Sequence, residues 1–348
     1  MQSQYAQELR RTAQAMVAEG KGILAMDESN RTCNKRFDKQ GIPSTEEMRR
    51  AYRELILTTP NLGHYISGAI LYDETIRQSS QDGKSFLQVM NEQGVIPGIK
   101  VDTGAKPLAG FPEEKVTEGL DGLRDRIAEY YQMGARFSKW RAVITIGDGI
   151  PTPTCIEANA HALARYAALC QEGGLVPIVE PEVLIDGDHT IERCYEVTKQ
   201  TLWTVFDHLY RHGIAFDQMV LKPSMVISGL DCPNRAGIQQ VAEWTVKCLR
   251  ETVPADVAGI AFLSGGQTPQ EAAEHLNAMN SEPLRSQAPW PITFSYARAI
   301  QEPALANWKG DSAKVPESQQ LLHHRAKCNS AASSGSYTPD LEKQPATV

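Results

Sequence analysis

The sequence predicts an α/β protein of the (β/α)8 barrel class, and three observations predict it. Eight apolar runs of strand length recur along its 348 residues, stretches with helical spacing separate them, and seven of the eight runs end in a charged or hydroxyl side chain. Runs of mostly apolar, often β-branched residues suit strands buried on both faces of a parallel sheet. Strand and helix in alternation close such a sheet into a TIM barrel, which builds its active site from the C-terminal ends of its strands.

The runs are, in order, GILAMDES with Asp27, HYISGAILY at 64–72, GVIPGIKVD with Lys100 and Asp102, ARFSKWRAVI with Lys139 and Arg141, LVPIVEPEV with Glu180 and Glu182, QMVLKPSMV with Lys222, GIAFLSGG with Ser264, and PITFSYARA with Arg298. Between them, Leu120, Leu123, Ile127, Tyr130 and Tyr131 mark one helical face that stops at Gly134. The Ala/Leu-rich stretch from Ile156 to Cys170 stops before Gly173-Gly174. Thr268-Pro269-Gln270-Glu271 has capping-box spacing with proline at the first helical position, so a helix starts there.

The chain exceeds the roughly 250 residues of a typical barrel. The expected division is one catalytic barrel over 1–313 and a C-terminal tail over 314–348, whose Ser-, Ala-, Pro- and Gln-rich composition predicts a flexible segment able to fold over the barrel mouth. A hydrophobic content of 41% fills a large core, and a net charge of −7 lacks the basic footprint of a nucleic-acid binder. No apolar run approaches the roughly 18 residues of a membrane span, and the first residues lack a secretory apolar core. Seven cysteines at scattered spacing suit reduced thiols, so the expected location is cytoplasmic.

Metal chemistry has little support in this sequence. His208 and His212 are spaced i, i+4 without an HExxH frame, His323-His324 lies where the tail begins, and no CxxC pair occurs. The expectation is a catalyst with no metal and no cofactor.

Lys222 carries the strongest chemical signal. A lysine is the last residue that burial favours in an apolar strand, and a lysine driven toward neutrality becomes a nucleophilic amine able to form a Schiff base with a carbonyl. The plainer alternative is a strand-end lysine whose stem packs and whose head reaches water. Phosphate handling is the second signal. Ser264-Gly265-Gly266 precedes the capped helix, so glycine amides and a helix N-terminus can face an anion together, and Arg298 ends the next run. The loops after the last two strands are where barrels often bind phosphate. A second anion patch is expected from Ser29, Thr32 and Arg36 after the first run and Lys100 at the end of the third. Two such patches flanking a nucleophilic lysine suggest a bisphosphorylated carbonyl compound.

Taken together, GKGILAMDES, GIKVD, FSKWR, VPIVEPEVL with DGDH, LKPSMV, FLSGGQ and TFSYARA closely resemble the metal-independent class I fructose-1,6-bisphosphate aldolases of animals and plants. The resemblance runs from near the N-terminus to about Trp308. It implies reversible cleavage of fructose 1,6-bisphosphate to triose phosphates, in glycolysis, gluconeogenesis or the Calvin cycle, and a homotetramer. It implies Lys222 as the Schiff-base lysine, Glu180 as general acid/base, Asp27 and Lys139 as catalytic neighbours, and Glu182 as support for Lys222. Ser264, Gly265 and Arg298 match its first phosphate site, and Ser29, Lys100 and Arg141 its contacts toward the other phosphate. A transaldolase-like transferase would also use a strand lysine, and an aldolase-like protein could serve as a binding partner alone.

The chemistry explains these residue types. Cleaving C3–C4 of a ketose needs an electron sink at C2, and a protonated imine is a better one than a ketone. The lysine must be neutral when it attacks, a state that a second ammonium nearby favours. The chain departs from the family pattern at Thr32 and Ala297, where serine and glycine are expected; alanine at 297 suits the position only with negative φ. It also ends Pro345-Ala346-Thr347-Val348, without the family's C-terminal tyrosine, and its last tyrosine is Tyr337. Tyr337 is expected to be dispensable, with solvent or Glu180 carrying the enamine proton.

Overall fold

The computed structural model describes residues 4–343. All eight apolar runs are strands: β1 (Gly22–Ala25), β2 (Ile66–Leu71), β3 (Ile96–Lys100), β6 (Phe137–Ile144), β7 (Val176–Val183), β8 (Val220–Leu221), β9 (Ile260–Phe262) and β10 (Ile292–Tyr296). They pair in parallel and close as β1-β10-β9-β8-β7-β6-β3-β2. Two further strands, β4 (Gly104–Pro107) and β5 (Lys115–Glu118), form an antiparallel hairpin after β3. Their short, polar segments carry no apolar run, which is why the sequence reading passes over them. Thr117 Oγ1 donates to Arg141 O at 2.7 Å and ties the hairpin to β6.

Side chains on a strand alternate, so every second residue faces the barrel interior. Ile23, Ala25, Ile70, Phe137, Ile178, Val220 and Ala261 make up an apolar floor there, and Leu9, Ala13 and Met16 of the N-terminal helix Ala6–Met16 close it from the end where the strands begin. The ring of Phe137 fills the space above Gly98, where any Cβ would overlap it. Outside the barrel, fully buried Trp140, Phe262 and Phe294 belong to the larger core between the strands and the helices.

The predicted helices form, the first of them starting later than expected, with Leu120 before its start. Leu123–Met133 ends at Gly134 with φ 119, Pro153–Glu172 spans the Ala/Leu-rich stretch, and Thr268 caps Pro269–Met279 in a complete capping box with Glu271.

The flexible tail is a correction. Val315–Ser333 is a helix packed on the helices Arg298–Trp308, Pro269–Met279 and Glu46–Leu57. Its buried stripe includes Ser318, Leu322, Arg325, Ala326, Asn329 and Ala332, with helical spacing but polar at half of those positions, so apolar periodicity does not report it. Several of its polar groups are hydrogen-bonded: Asn307 Nδ2 donates to Ser318 Oγ at 3.0 Å, and Arg325 Nη2 to Pro269 O at 2.9 Å. A short 3-10 turn, Pro339–Lys343, follows. The terminal sequence 345–348 lies outside the described residues.

Candidate active site

The strand register assembles the site. Lys100 pairs with Lys139, Arg141 with Glu180, and Ile178 with Val220. Two residues beyond four of these floor positions come Asp27 after Ala25, Lys139 after Phe137, Glu180 after Ile178 and Lys222 after Val220. The apolar floor therefore gives way, one alternation later on neighbouring strands, to a layer of charge lining a cavity of about 610 Å³ at the barrel mouth.

Lys222 is 4% exposed, and its Nζ lies 3.2 Å from Glu180 Oε1. Its backbone N–H donates to Val179 O at 2.8 Å, and Pro223, lacking an N–H, ends the strand there. Lys139 Nζ lies 2.7 Å from Asp27 Oδ2, 3.6 Å from Glu180 Oε2 and 3.8 Å from Asp102 Oδ2. The Glu180 carboxylate thus stands between two buried lysines. Its Oε2 makes no hydrogen bond among the described residues.

Burial works against the charge on Asp27, but the ammonium groups of Lys139 and then Lys222 outweigh it, and the carboxyl is held down at about 2. Burial likewise works against the charge on Lys139, yet attraction to Asp27, Glu180 and Asp102 raises its pKa above the ordinary lysine value. Lys139 and Asp27 are therefore a fixed pair of opposite charges at neutral pH. Lys100 Nζ donates to Asp102 Oδ1 at 2.5 Å and Asp102 O at 2.6 Å, while Asp102 Oδ2 accepts from the Arg141 backbone N–H at 3.3 Å.

Two polar regions face each other across the ring. Ser264, Gly265, Ala297 and Arg298, after β9 and β10, line the cavity on one side, and Lys100 and Arg141, on β3 and β6, line it on the opposite side of the eight-strand order. Lys222 and Glu180 occupy the two strands between. Arg298 opens the helix Arg298–Trp308 and makes no ion pair among the described residues. Ala297 has φ −105°, on the negative side and outside the left-handed region that favours glycine. Ser29 caps the helix Asn30–Asp38, its Oγ accepting from Thr32 N at 3.4 Å, and both side chains line the cavity. Cations on both sides, joined by hydroxyls and by the N-termini of the helices after β1 and β10, suit an anion at each end of one ligand.

The comparisons with known proteins agree with this geometry. The family model for fructose-bisphosphate aldolase class-I matches residues 8–347. A Xanthomonas campestris protein named as a probable fructose-bisphosphate aldolase class 1 is 59% identical over 332 residues, covering 95% of this chain and 98% of its own. The fructose-bisphosphate aldolase of Dictyostelium discoideum is 51% identical over 341 residues, covering 97% and 95%. The Plasmodium falciparum fructose-bisphosphate aldolase, solved in complex with TRAP and a small-molecule inhibitor, superposes with a TM-score of 0.93 at 45% identity over 96% of each chain. The chain belongs to the class-I fructose-bisphosphate aldolases.

In this aldolase three sequence-predicted residues stand elsewhere than expected. Arg36 does not line the cavity: its guanidinium pairs with Glu28 and donates to Gln301 Oε1 at 3.0 Å, so it braces the helix Asn30–Asp38 against Arg298–Trp308 instead of facing an anion. Gly266 turns the loop at φ 78°, beside Ile185 and Leu230, and also lies off the cavity lining. Glu182 pairs with the Arg141 guanidinium, and the carboxylate against Lys222 is that of Glu180. The alternation explains the first and third results. Glu182 is one inward step past Glu180, level with Val143 on β6, while Arg36 sits on the helix after β1 and not on a strand end.

Two residues gain weight that the sequence reading did not give them. Asp102, named only as a strand end, contacts Lys100, Lys139 and Arg141 N. Ser295 lines the cavity with a buried hydroxyl that makes no hydrogen bond among the described residues. The alternation Thr293, Ser295, Ala297 within TFSYARA was the signal that could have found it.

Proposed function

We propose that Lys222 carries the Schiff base of this aldolase, with Glu180 as the group that moves its protons. The chain is a carbon–carbon lyase that cleaves fructose 1,6-bisphosphate reversibly to dihydroxyacetone phosphate and glyceraldehyde 3-phosphate. The observation that carries the assignment is the buried Lys222 amine 3.2 Å from a carboxylate that also faces the fixed Lys139–Asp27 pair.

Lys222 passes its ammonium proton to the Glu180 carboxylate, 3.2 Å away, and the neutral amine attacks C2 of the open-chain ketose; as the new N–C bond forms, an amine proton moves to the former carbonyl oxygen and gives a carbinolamine. Glu180 donates the proton with which its hydroxyl leaves as water, forming the protonated imine. Glu180, now a carboxylate, accepts the C4 hydroxyl proton as C3–C4 breaks and the electron pair flows into the imine nitrogen. The aldehyde leaves, C3 of the enamine is reprotonated, and hydrolysis frees dihydroxyacetone phosphate and Lys222. One carboxyl group serves both steps because it is left ionised by the first. Asp27, held ionised by Lys139, is too weak a base for the C4 proton and instead accepts hydrogen bonds from substrate hydroxyls.

The phosphates take the two facing patches. Ser264, Gly265 and Arg298 receive one, and Ser29, Thr32, Lys100 and Arg141 contact the substrate toward the other; Asp102 holds Lys100 and the Arg141 backbone in place. We further propose a cytoplasmic homotetramer: all seven cysteines are free thiols, no helix among the described residues is long and apolar enough to cross a membrane, and the family resemblance implies the tetramer.

Borohydride reduction in the presence of dihydroxyacetone phosphate, followed by peptide mass mapping, tests the assignment. The adduct is expected on Lys222 with loss of activity, and cleavage is expected to persist in EDTA because the imine is the electron sink. An adduct on Lys139 or Lys100, or complete loss of cleavage in EDTA, refutes it.

A further inference from the structure

The helix Val315–Ser333 brings together donors that the catalytic reading does not use. His324 and Cys328, four residues apart, share one face of that helix, and the 3-10 turn Pro339–Lys343 brings Glu342 against them. The His324 imidazole nitrogen, the Cys328 sulfur and a Glu342 carboxylate oxygen all lie within 4.8 Å of one another. Among the described residues this is the one cluster of three or more histidine, cysteine or acidic side chains with such spacing, and it lies off the barrel mouth. We propose that His324, Cys328 and Glu342 bind a zinc ion that fastens the C-terminal segment to the body of the protein.

The distances carry the proposal. Zinc holds thiolate sulfur at about 2.3 Å and imidazole nitrogen at about 2.0–2.1 Å in tetrahedral geometry, so the sulfur–nitrogen edge of such a site is about 3.6 Å. Cys328 Sγ and His324 Nε2 are 3.6 Å apart. The helix already holds two donors at metal-bound spacing, and the Glu342 carboxylate stands within 4.8 Å of both. A sulfur, nitrogen and oxygen set favours a borderline-soft dication over magnesium or calcium. Cys328 is 1% exposed, whereas His324 and Glu342 are half-buried, so the ion can enter from the solvent side and keep a water as its fourth ligand.

Glu342 has other partners, and they fit an outer shell. Its Oε1 accepts from Tyr337 Oη at 2.8 Å, and its Oε2 pairs with Arg325 at 2.5 Å. A carboxylate offers about four lone-pair positions, so these two contacts leave room for a metal while fixing the direction in which the carboxylate points. Binding exchanges the Cys328 thiol proton for the ion, and that proton leaves to solvent. Without the ion, the 3-10 turn is held through Glu342 by Arg325 and Tyr337 alone.

The test uses the full-length chain, stripped with EDTA and dialysed, titrated with Zn²⁺ by calorimetry and with Co²⁺ by absorption. Wild type is expected to bind one ion per chain, to develop a near-ultraviolet thiolate-to-cobalt band, and to lose its C-terminal segment to protease more slowly with Zn²⁺. Cys328→Ser should abolish the cobalt–thiolate band, and Cys328→Ser and His324→Gln should each weaken binding at least about tenfold. Glu342→Gln should keep the band, weaken binding and remove the protection. Fructose bisphosphate cleavage, whose residues lie elsewhere, reports that each variant is folded. No stoichiometric binding in wild type, or binding unchanged in both Cys328→Ser and His324→Gln, overturns the site. Unchanged affinity and protection in Glu342→Gln overturns the fastening of the C-terminal segment.

Discussion

Replacing Lys139 with Met removes the cation around which three carboxylates are arranged. Lys139 is 3% exposed, and its loss leaves Asp27, Glu180 and Asp102 buried with less compensating charge. Breaking a buried pair by removing one partner costs about 3–5 kcal/mol, so the variant should fold but be less stable at pH 7 by about 3 kcal/mol. The pH dependence follows from Asp27, whose pKa falls from 3.8 to about 2 in the folded chain. A depressed carboxylate stabilises the fold above its unfolded pKa, and that stabilisation is lost as pH falls through the folded value. At about 1.4 kcal/mol per unit, the contribution is about 2 kcal/mol. Lys139→Met abolishes it, so the stability gap between wild type and variant should narrow by about 2 kcal/mol as pH falls from 5 to 2. Pulse proteolysis in urea measures the gap, and borohydride trapping, expected to slow at least about 100-fold, measures the chemistry. A gap independent of pH would refute the electrostatic account of the cluster. An unchanged trapping rate would remove Lys139 from the reaction and leave it a structural ion.

Gly98→Ala drives a methyl into the ring of Phe137. It should cost about 1–3 kcal/mol in urea denaturation, and much less when introduced into a Phe137→Leu background. Arg36→Met should lower stability by about 1–3 kcal/mol, since Glu28 keeps only Arg53, at 2.9 Å, as its ion-pair partner. Its KM for fructose bisphosphate should stay within about twofold, and a large rise in KM would return Arg36 to the phosphate site. Tyr337→Phe removes the bond to Glu342 and should cost about 1 kcal/mol, while cleavage and exchange of the dihydroxyacetone phosphate α-proton remain near normal. Deletion of 335–348 should likewise spare both rates, and a collapse of exchange restored by a chain retaining Tyr337 would make that phenol the proton carrier.

The barrel was legible because its strands are buried on both faces, so each announces itself as an uninterrupted apolar run. The hairpin β4–β5 was not, because a two-stranded ribbon at the surface needs no such run. The helix Val315–Ser333 was misread for a related reason. Its inward stripe is held partly by hydrogen bonds, Ser318 to Asn307 and Arg325 to the Pro269 carbonyl, and composition reads those polar residues as solvent-facing. Tyr337 belongs to the same folded segment. It is 6% exposed, and its backbone N–H donates to Asn277 Oδ1 at 2.9 Å. That is eight residues along the helix from Pro269, or about 12 Å of helical rise, and Tyr337 is not among the residues lining the mouth.

The candidate site was legible to the extent that strand ends were. Strand-end position brought Asp27, Lys100, Lys139, Glu180 and Lys222 into one cavity, because period-two alternation aims every second side chain inward. What position alone could not supply is pairing. VPIVEPEV offers two carboxylates two residues apart, and both face inward, so nothing local distinguishes them. The register decides. Ile178 is level with Val220, so Glu180 is level with Lys222, whereas Glu182 lies one step further out, beyond the end of the short strand β8 and within reach of the Arg141 guanidinium. β8 ends at Leu221, so no strand residue lies level with Glu182; past Pro223, the buried Ser224 hydroxyl instead accepts from the Val183 backbone N–H at 3.1 Å. The division of labour between two neighbouring glutamates thus rests on where the short strand beside them stops.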